Sequence, residues 1–358
     1  MGHSLSRAGR RDMSSTPLLS SGGLPGAIQD HARRPSHVSV LEPSLICLQP
    51  VFLRACHSPW KFIAQNHLVI LRALTLAYLV ATSAMIGHYK INVEVSETTK
   101  FKHLFSFTMI CHALVFVYHL ITWAWTFTHL YHPDRHAVRG GVESVIIKVM
   151  SLPHNMGSLR KQFYFTLFYS TATVFSFMNS VIYWFITRAH EAGGEDAMVA
   201  AAVSGLDVLA APGKDVSALV TAQMPEQPFS DLFGEGWFKA FVLITLHAIN
   251  PCIMAIEILF FNSIKRPFAL GSHFVGLMAM CGLYLGWAAI GKALTGEFPF
   301  FWLDEEEVGS KEAVTTYCVG FVFLSQILYI LMQGFIYIRE GLTKSIQGAE
   351  GSNGALHS

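Results

Sequence analysis

Apolar stretches with at most two charged residues each recur along the chain at 68–87, 104–128, 164–187, 238–261, 269–293 and 315–338. Each is long enough to cross a hydrocarbon core of about 30 Å, which takes roughly 20 helical residues. Alternating apolar and polar positions are missing from all of them, so a membrane β-barrel is excluded. Helices are the remaining way to satisfy backbone groups in lipid. The pattern predicts an all-α, polytopic membrane bundle of six transmembrane helices.

Basic residues orient such a bundle. The segment before the first run carries Arg7, Arg10, Arg11, Arg33, Arg34, Arg54 and Lys61. On the same side fall Arg135, Arg139, Lys148, Arg160 and Lys161, then Lys265 and Arg266, then Arg339 and Lys344. The other side has Lys90, Lys100, Lys102, Arg188, Lys214 and Lys311. The asymmetry, with an even number of spans, puts both termini in the cytoplasm. Residues 61–340 form the membrane domain, with an extracytoplasmic insertion at 188–237 whose stretch 197–224 is rich in Ala and Val. The first apolar run begins too late for a cleaved signal peptide. Residues 1–60 read as a cytosolic tail, and the first 37, rich in Ser, Arg and Pro, suit a disordered segment or a transit peptide. Residues 45–55 are apolar but too short to span, which suggests an interfacial position. The polar, Gly/Ser-rich tail 341–358 is expected to be flexible.

Composition sharpens this picture. Of 358 residues 52% are apolar and 14% charged, against about 25% charged in soluble domains. The mean hydropathy is +0.41. A net charge of +1 offers no field for a polyanion, so nucleic acid is excluded as a partner. The six cysteines lie far apart, with neither a disulfide framework nor a zinc pattern.

Ionisable residues inside spans are costly and mark functional candidates. In the second run Thr108, His112 and His119 lie on one helical stripe, with Cys111 and Tyr118 beside it. Hydrogen bonding between helices accounts for His119 and Cys111. The fourth run reads Leu246-His247-Ala248-Ile249-Asn250-Pro251, about 14 Å deep at His247 for a rise of 1.5 Å per residue. Pro251 deprives the Leu246 or His247 carbonyl of its partner, which Asn250 can replace. His247 is then either a pocket residue beside a kink or a core histidine bonded to a carbonyl. Glu257 falls near the cytosolic boundary, where Lys265 and Arg266 are expected to neutralise it. Arg72 can snorkel, and Gly282-x-x-x-Gly286 allows close helix approach. His129, His132 and His136 fall in HLYHPDRH, but Pro133 breaks their helical spacing and no second histidine box accompanies them. His112, His119, His247 and His273 do not form the two facing pairs of a haem-binding six-helix cytochrome. No metal and no cofactor is expected.

From Lys102 to the end of the sixth run the chain resembles two related six-helix families. One is the androgen-induced protein family of intramembrane threonine hydrolases, which act on fatty acid esters of hydroxy fatty acids. The other is the rolling-stone family, associated with cell fusion. The resemblance is carried by LHAINPCIMAIEI (246–258), LTGEFPFFWLDEEEVG (294–309) and YCVGFVFLSQILYILMQGFIYIRE (317–340). It implies that His247 is the catalytic histidine, with Glu257 at the family's spacing and Pro251 one residue early. The family's nucleophilic threonine follows a basic-aromatic-Leu sequence. Here Lys102-His103-Leu104 is followed by Phe105, so Ser106 or Thr108 would have to supply the hydroxyl.

The expected chemistry is hydrolysis of a lipid ester, the acyl chains entering from the bilayer. His247 would act as base on Thr108 or Ser106, supported by His112, Asn250 and Glu257. Membrane lipids and an acyl-ester substrate are the implied partners. The endoplasmic reticulum and the plasma membrane both remain open as locations. The alternative is a non-catalytic, rolling-stone-like protein of cell contact or assembly, in which the polar stripe serves packing.

Overall fold

The computed structural model describes residues 50–89, 102–132, 141–190, 237–267 and 269–355, with side chains through 346. Every element among the described residues is helical. A short helix α1 (Val51–Ala55) precedes α2 (Gln65–His88). A 3-10 turn at Lys102–Phe105 leads into α3 (Phe107–Tyr131), followed by α4 (Gly141–Met150). Helix α5 (Leu159–Val181) continues through a π-helical stretch, Ile182–Thr187. The fourth span is built from α6 (Trp237–Ile244), a π turn (Thr245–Ile249), α7 (Asn250–Ile256) and a second π turn (Glu257–Phe261). Helix α8 (Leu270–Thr295), a 3-10 turn (Phe301–Leu303), α9 (Glu305–Val308) and α10 (Lys311–Ala355) complete the chain.

Among the described residues six helical segments are long and apolar enough to cross a membrane: Gln65–His88, Phe107–Tyr131, Leu159–His190, Trp237–Phe261, Leu270–Thr295 and Lys311–Ile346. They coincide with the six apolar runs of the sequence, so the protein is an integral, multi-pass membrane protein. The third is the least apolar and the most enclosed, with 78% of its apolar window buried against 28% in α8. A helix surrounded by protein meets little lipid. It can therefore carry Ser170, Thr171, Thr173, Ser176 and Asn179, all buried. Gly296 closes α8 at φ +81°, a left-handed conformation suited to glycine, with its N–H on the Lys292 carbonyl at 2.9 Å.

Charge is buried at the end of the bundle that carries α1. Arg72 is 1% exposed and does not snorkel. Its terminal nitrogens donate to Glu257 Oε1 at 2.8 Å, Thr126 Oγ1 at 2.6 Å, and the carbonyls of Ala55, Thr122 and Phe261. Glu257 thus pairs with Arg72, not with Lys265 or Arg266, and it also accepts from the Tyr118 hydroxyl at 3.0 Å. Arg266 instead lies over the Tyr337 ring. Arg339, also 1% exposed, donates to the Ile258 and Asn262 carbonyls at 2.8 Å, joining α10 to the end of the fourth span.

Other expectations of packing need revision. Helix α1 packs into the core of the bundle: the Phe52 ring meets Trp125 and Phe165 at 5.6 and 5.4 Å. Helix α10 runs on to Ala355, through most of the polar segment expected to be a flexible tail. Gly282 and Gly286 face outward with no atom within 4 Å of an added Cβ, so they mediate no helix contact among the described residues. The close approaches of α8 are at Gly276 and Gly291, where a Cβ would lie 2.7 Å from Leu167 Cδ1 and from Phe105 Cγ. The expected tail segment before residue 50 and the insertion between 191 and 236 lie outside the described residues.

Candidate functional site

The fourth span positions the site through its proline. In the π turn the Asn250 N–H bonds the Thr245 carbonyl, five residues back. The next bond of that register would run from residue 251 to the Leu246 carbonyl, but Pro251 has no N–H. A buried carbonyl left without a donor costs about 1–3 kcal/mol. Asn179 of α5 fills the vacancy, donating from Nδ2 to the Leu246 oxygen at 3.1 Å. Asn250, expected to satisfy the freed carbonyl, turns to His112 instead.

Asn179 also brings the predicted partners together. The Thr108 hydroxyl donates to its Oδ1 at 2.9 Å, and its Nδ2 lies 3.1 Å from His247 Nδ1. The His247 ring, 6% exposed, stacks on Tyr183 with centroids 3.8 Å apart and planes 12° from parallel. Thr108 and His247 are thus at one level of the bundle, with an amide between them. As a donor to Nδ1, Asn179 favours the tautomer carrying its proton on Nε2. The Thr108 hydrogen meets an amide oxygen, which is not a base.

A second chain of contacts lies beside the first. His112 is one turn beyond Thr108 on α3 and is buried. Its Nδ1 is within reach of both amide atoms of Asn250, Nδ2 at 3.0 Å and Oδ1 at 3.4 Å. Its Nε2 is 2.8 Å from the Ser83 hydroxyl of α2. Thr245 and Tyr78 add a hydroxyl contact at 3.3 Å between the first and fourth spans. Two imidazoles, two amides and several hydroxyls from four spans therefore form adjacent hydrogen-bonded groups, a polar layer without Lys, Arg, Asp or Glu.

The remaining candidates are not brought into it. Ser106 is the N-cap residue of α3, and its side chain makes no capping bond. Phe105, where the family resemblance expects a hydroxyl, packs its ring 5.0 Å from Trp287. Glu257 is ten residues from His247, about 15 Å along a helix, and belongs to the Arg72 pair. Cys111 donates to the Phe175 carbonyl of α5, the expected bond between helices, whereas His119 Nδ1 lies on the Val115 carbonyl of its own helix. His129 sets its ring edge against His57, 5.0 Å away, while His136 lies outside the described residues. No group of three His, Cys, Asp or Glu side chains suited to a metal ion occurs among the described residues.

Sequence reasoning missed Ser83, Asn179 and Tyr183. Asn179 had a visible signal, a lone amide inside FSFMNSVIYWF, but Ser83 looked like any small helix hydroxyl. At the same end of the bundle a cavity of about 510 Å³ is lined by Lys102, His190, Glu297, Phe300, Phe301 and Asp304, among others. No residue of the polar layer lines it. There the hydrogen bond and charge of Lys102 hold the Glu297 carboxyl below the usual range. Comparison of the chain with protein-family models, curated proteins and solved structures gives no match.

Proposed function

We propose that this membrane protein hydrolyses lipid esters through a hydroxyl nucleophile and a histidine base set within the bilayer. The reading rests on one observation: a hydroxyl and an imidazole from different spans come together twice, Thr108 and His247 through the Asn179 amide and Ser83 and His112 directly at 2.8 Å. Nucleophilic catalysis needs a hydroxyl within hydrogen-bond reach of a base, the base being oriented by a third group. Fatty acid esters of hydroxy fatty acids are the substrate class, on the strength of the family resemblance of the fourth span. We assign both termini to the cytosol from the lysine and arginine asymmetry of the loops.

The test uses membranes carrying the full chain, a fatty acid ester of a hydroxy fatty acid, and a fluorophosphonate probe. Release of free fatty acid and covalent labelling are expected from the wild type, and both are lost from the double variant His112→Ala/His247→Ala. Turnover retained by the double variant refutes histidine-dependent hydrolysis. The rolling-stone-like reading, a protein of contact or assembly, draws on the amide standing between Thr108 and His247. It predicts a wild type that neither labels nor releases acid.

A further inference from the structure

The two arms of the polar layer differ in what their hydrogens can do. In the Thr108 arm the hydroxyl hydrogen points at an amide oxygen, which cannot hold a proton near neutral pH. In the other arm the Ser83 hydroxyl is 2.8 Å from an imidazole nitrogen, within range for direct proton transfer. The opposite ring nitrogen is held by the Asn250 amide. The amide nitrogen is the nearer atom, at 3.0 Å against 3.4 Å for Oδ1, so turning the amide over is what lets Oδ1 accept from Nδ1–H and leaves an unprotonated Nε2 facing the serine. The Ser83 hydroxyl also reaches its own Leu79 carbonyl at 2.6 Å. Switching its hydrogen from that carbonyl to His112 needs only rotation about the C–O bond.

Access favours the same serine. Ser83 is half-buried, and its helix neighbours Val80 and Ala84 face outward, Val80 with 52% exposure. His112 and Asn250 behind it are 4% and 1% exposed. The hydroxyl thus sits where a wall open to lipid meets an enclosed base, the arrangement needed by an ester arriving sideways from the bilayer.

Resting on the hydrolase reading above, we infer that Ser83 is the attacking hydroxyl, His112 its general base and Asn250 the residue that positions the imidazole. Ser83 Oγ bonds to the ester carbonyl carbon as its proton passes to His112 Nε2. The ester C–O bond then breaks, and the imidazolium returns that proton to the leaving alkoxide, freeing the hydroxy lipid. Water attacks the acyl-serine, giving its proton to His112. The acyl–Oγ bond breaks, fatty acid is released, and the proton returns to Ser83.

The experiment maps the fluorophosphonate adduct on the wild-type protein in membranes by peptide mass spectrometry. The adduct is expected on Ser83, and Ser83→Ala is expected to lower fatty acid release by about 100-fold or more, the scale of lost acid–base catalysis. An adduct on Thr108 or Ser106, or turnover retained by an inserted Ser83→Ala protein, overturns the assignment while leaving the hydrolase reading intact. A wild type that neither labels nor releases acid overturns both. Asn250→Asp tests the positioning role separately: a carboxylate beside the ring favours the imidazolium. The acid limb of the pH dependence of kcat/KM should therefore move to higher pH. An unmoved limb with reduced protein yield would make Asn250 purely structural.

Discussion

The bond from Asn179 to the Leu246 carbonyl exists because Pro251 cannot make its own, which turns the pair into a measurable coupling. Asn179→Ala removes partners from the Leu246 carbonyl, His247 Nδ1 and the Thr108 hydroxyl. Hydrogen bonds between membrane helices are worth about 0.6 kcal/mol on average and up to about 1.7. Three losses, one of them orphaning a buried carbonyl, should cost about 2–4 kcal/mol. Pro251→Ala restores an N–H at the position where the π register would deliver it to Leu246. In that background Asn179→Ala leaves the carbonyl satisfied, so its cost should fall by about 1 kcal/mol, one hydrogen bond. Unfolding free energies of the four proteins by detergent titration in mixed micelles give the interaction term directly. Distant, independent sites add to within about 0.3–0.5 kcal/mol. Additivity within that margin would refute the account in which the proline frees the carbonyl that Asn179 occupies.

Other substitutions probe the frame. Arg72→Met leaves Glu257 buried without its cation and should cost about 3–5 kcal/mol, whereas Arg72→Met/Glu257→Leu should regain most of it in the same titration. Gly291→Ala drives a methyl into Phe105 and should cost about 1–3 kcal/mol, while Gly286→Ala, with open space around it, should leave the unfolding midpoint unchanged. Burial pushes the Cys56 thiol up to about 12, so it should resist maleimide at pH 8 in the folded protein and react only on unfolding, as mass spectrometry of the labelled peptides would register. Lys102 holds the Glu297 carboxyl low, so the contribution of this pair to stability is present above the ordinary carboxylate range and fades as pH falls through the lowered value. Lys102→Met should abolish that acid dependence in unfolding measured as a function of pH.

The spans were legible because crossing a membrane is a demand on composition over some 20 residues, and any window of that length reports it. The partners within the bundle were not, because they depend on how each helix is rotated about its axis. Arg72 and Glu257 are 185 positions apart, and no local feature of either names the other. Proximity in sequence suggested Lys265 and Arg266, yet Glu257 is fully buried and takes its cation from another span. The candidate site divides along the same line. His247 and Thr108 stood out by residue type inside apolar runs, and Pro251 foretold a freed carbonyl. Asn179 completes both, but its role appears only once α5 is known to be the enclosed helix. Gly282 and Gly286 failed in the opposite sense, since a small-residue pattern permits close approach without supplying a helix to approach.

The two polar layers of the bundle differ in how fully they are tied down, and that difference has a chemical consequence. Around Arg72, Glu257 and Arg339 the partners are mostly carbonyls at the ends of spans, gathered from α1, α2, α3, the fourth span and α10. Such contacts fix helix ends relative to one another, and a buried charge resists any motion that would leave it unpaired. The upper layer, around Ser83, Thr108, His112, Asn179 and His247, contains no Lys, Arg, Asp or Glu, and the Ser83 hydroxyl and the His112 ring can each exchange one partner for another without moving a helix. Proton transfer requires that freedom, since a hydroxyl must release its hydrogen and an imidazole must carry it in turn. Strong pairing in the upper layer would remove the reactive tautomers, while weak pairing in the lower layer would let the helices drift and spoil the 2.8 Å approach of Ser83 to His112. Segregating the charges at the α1 end therefore lets one half of the bundle hold the geometry that the other half can use for chemistry.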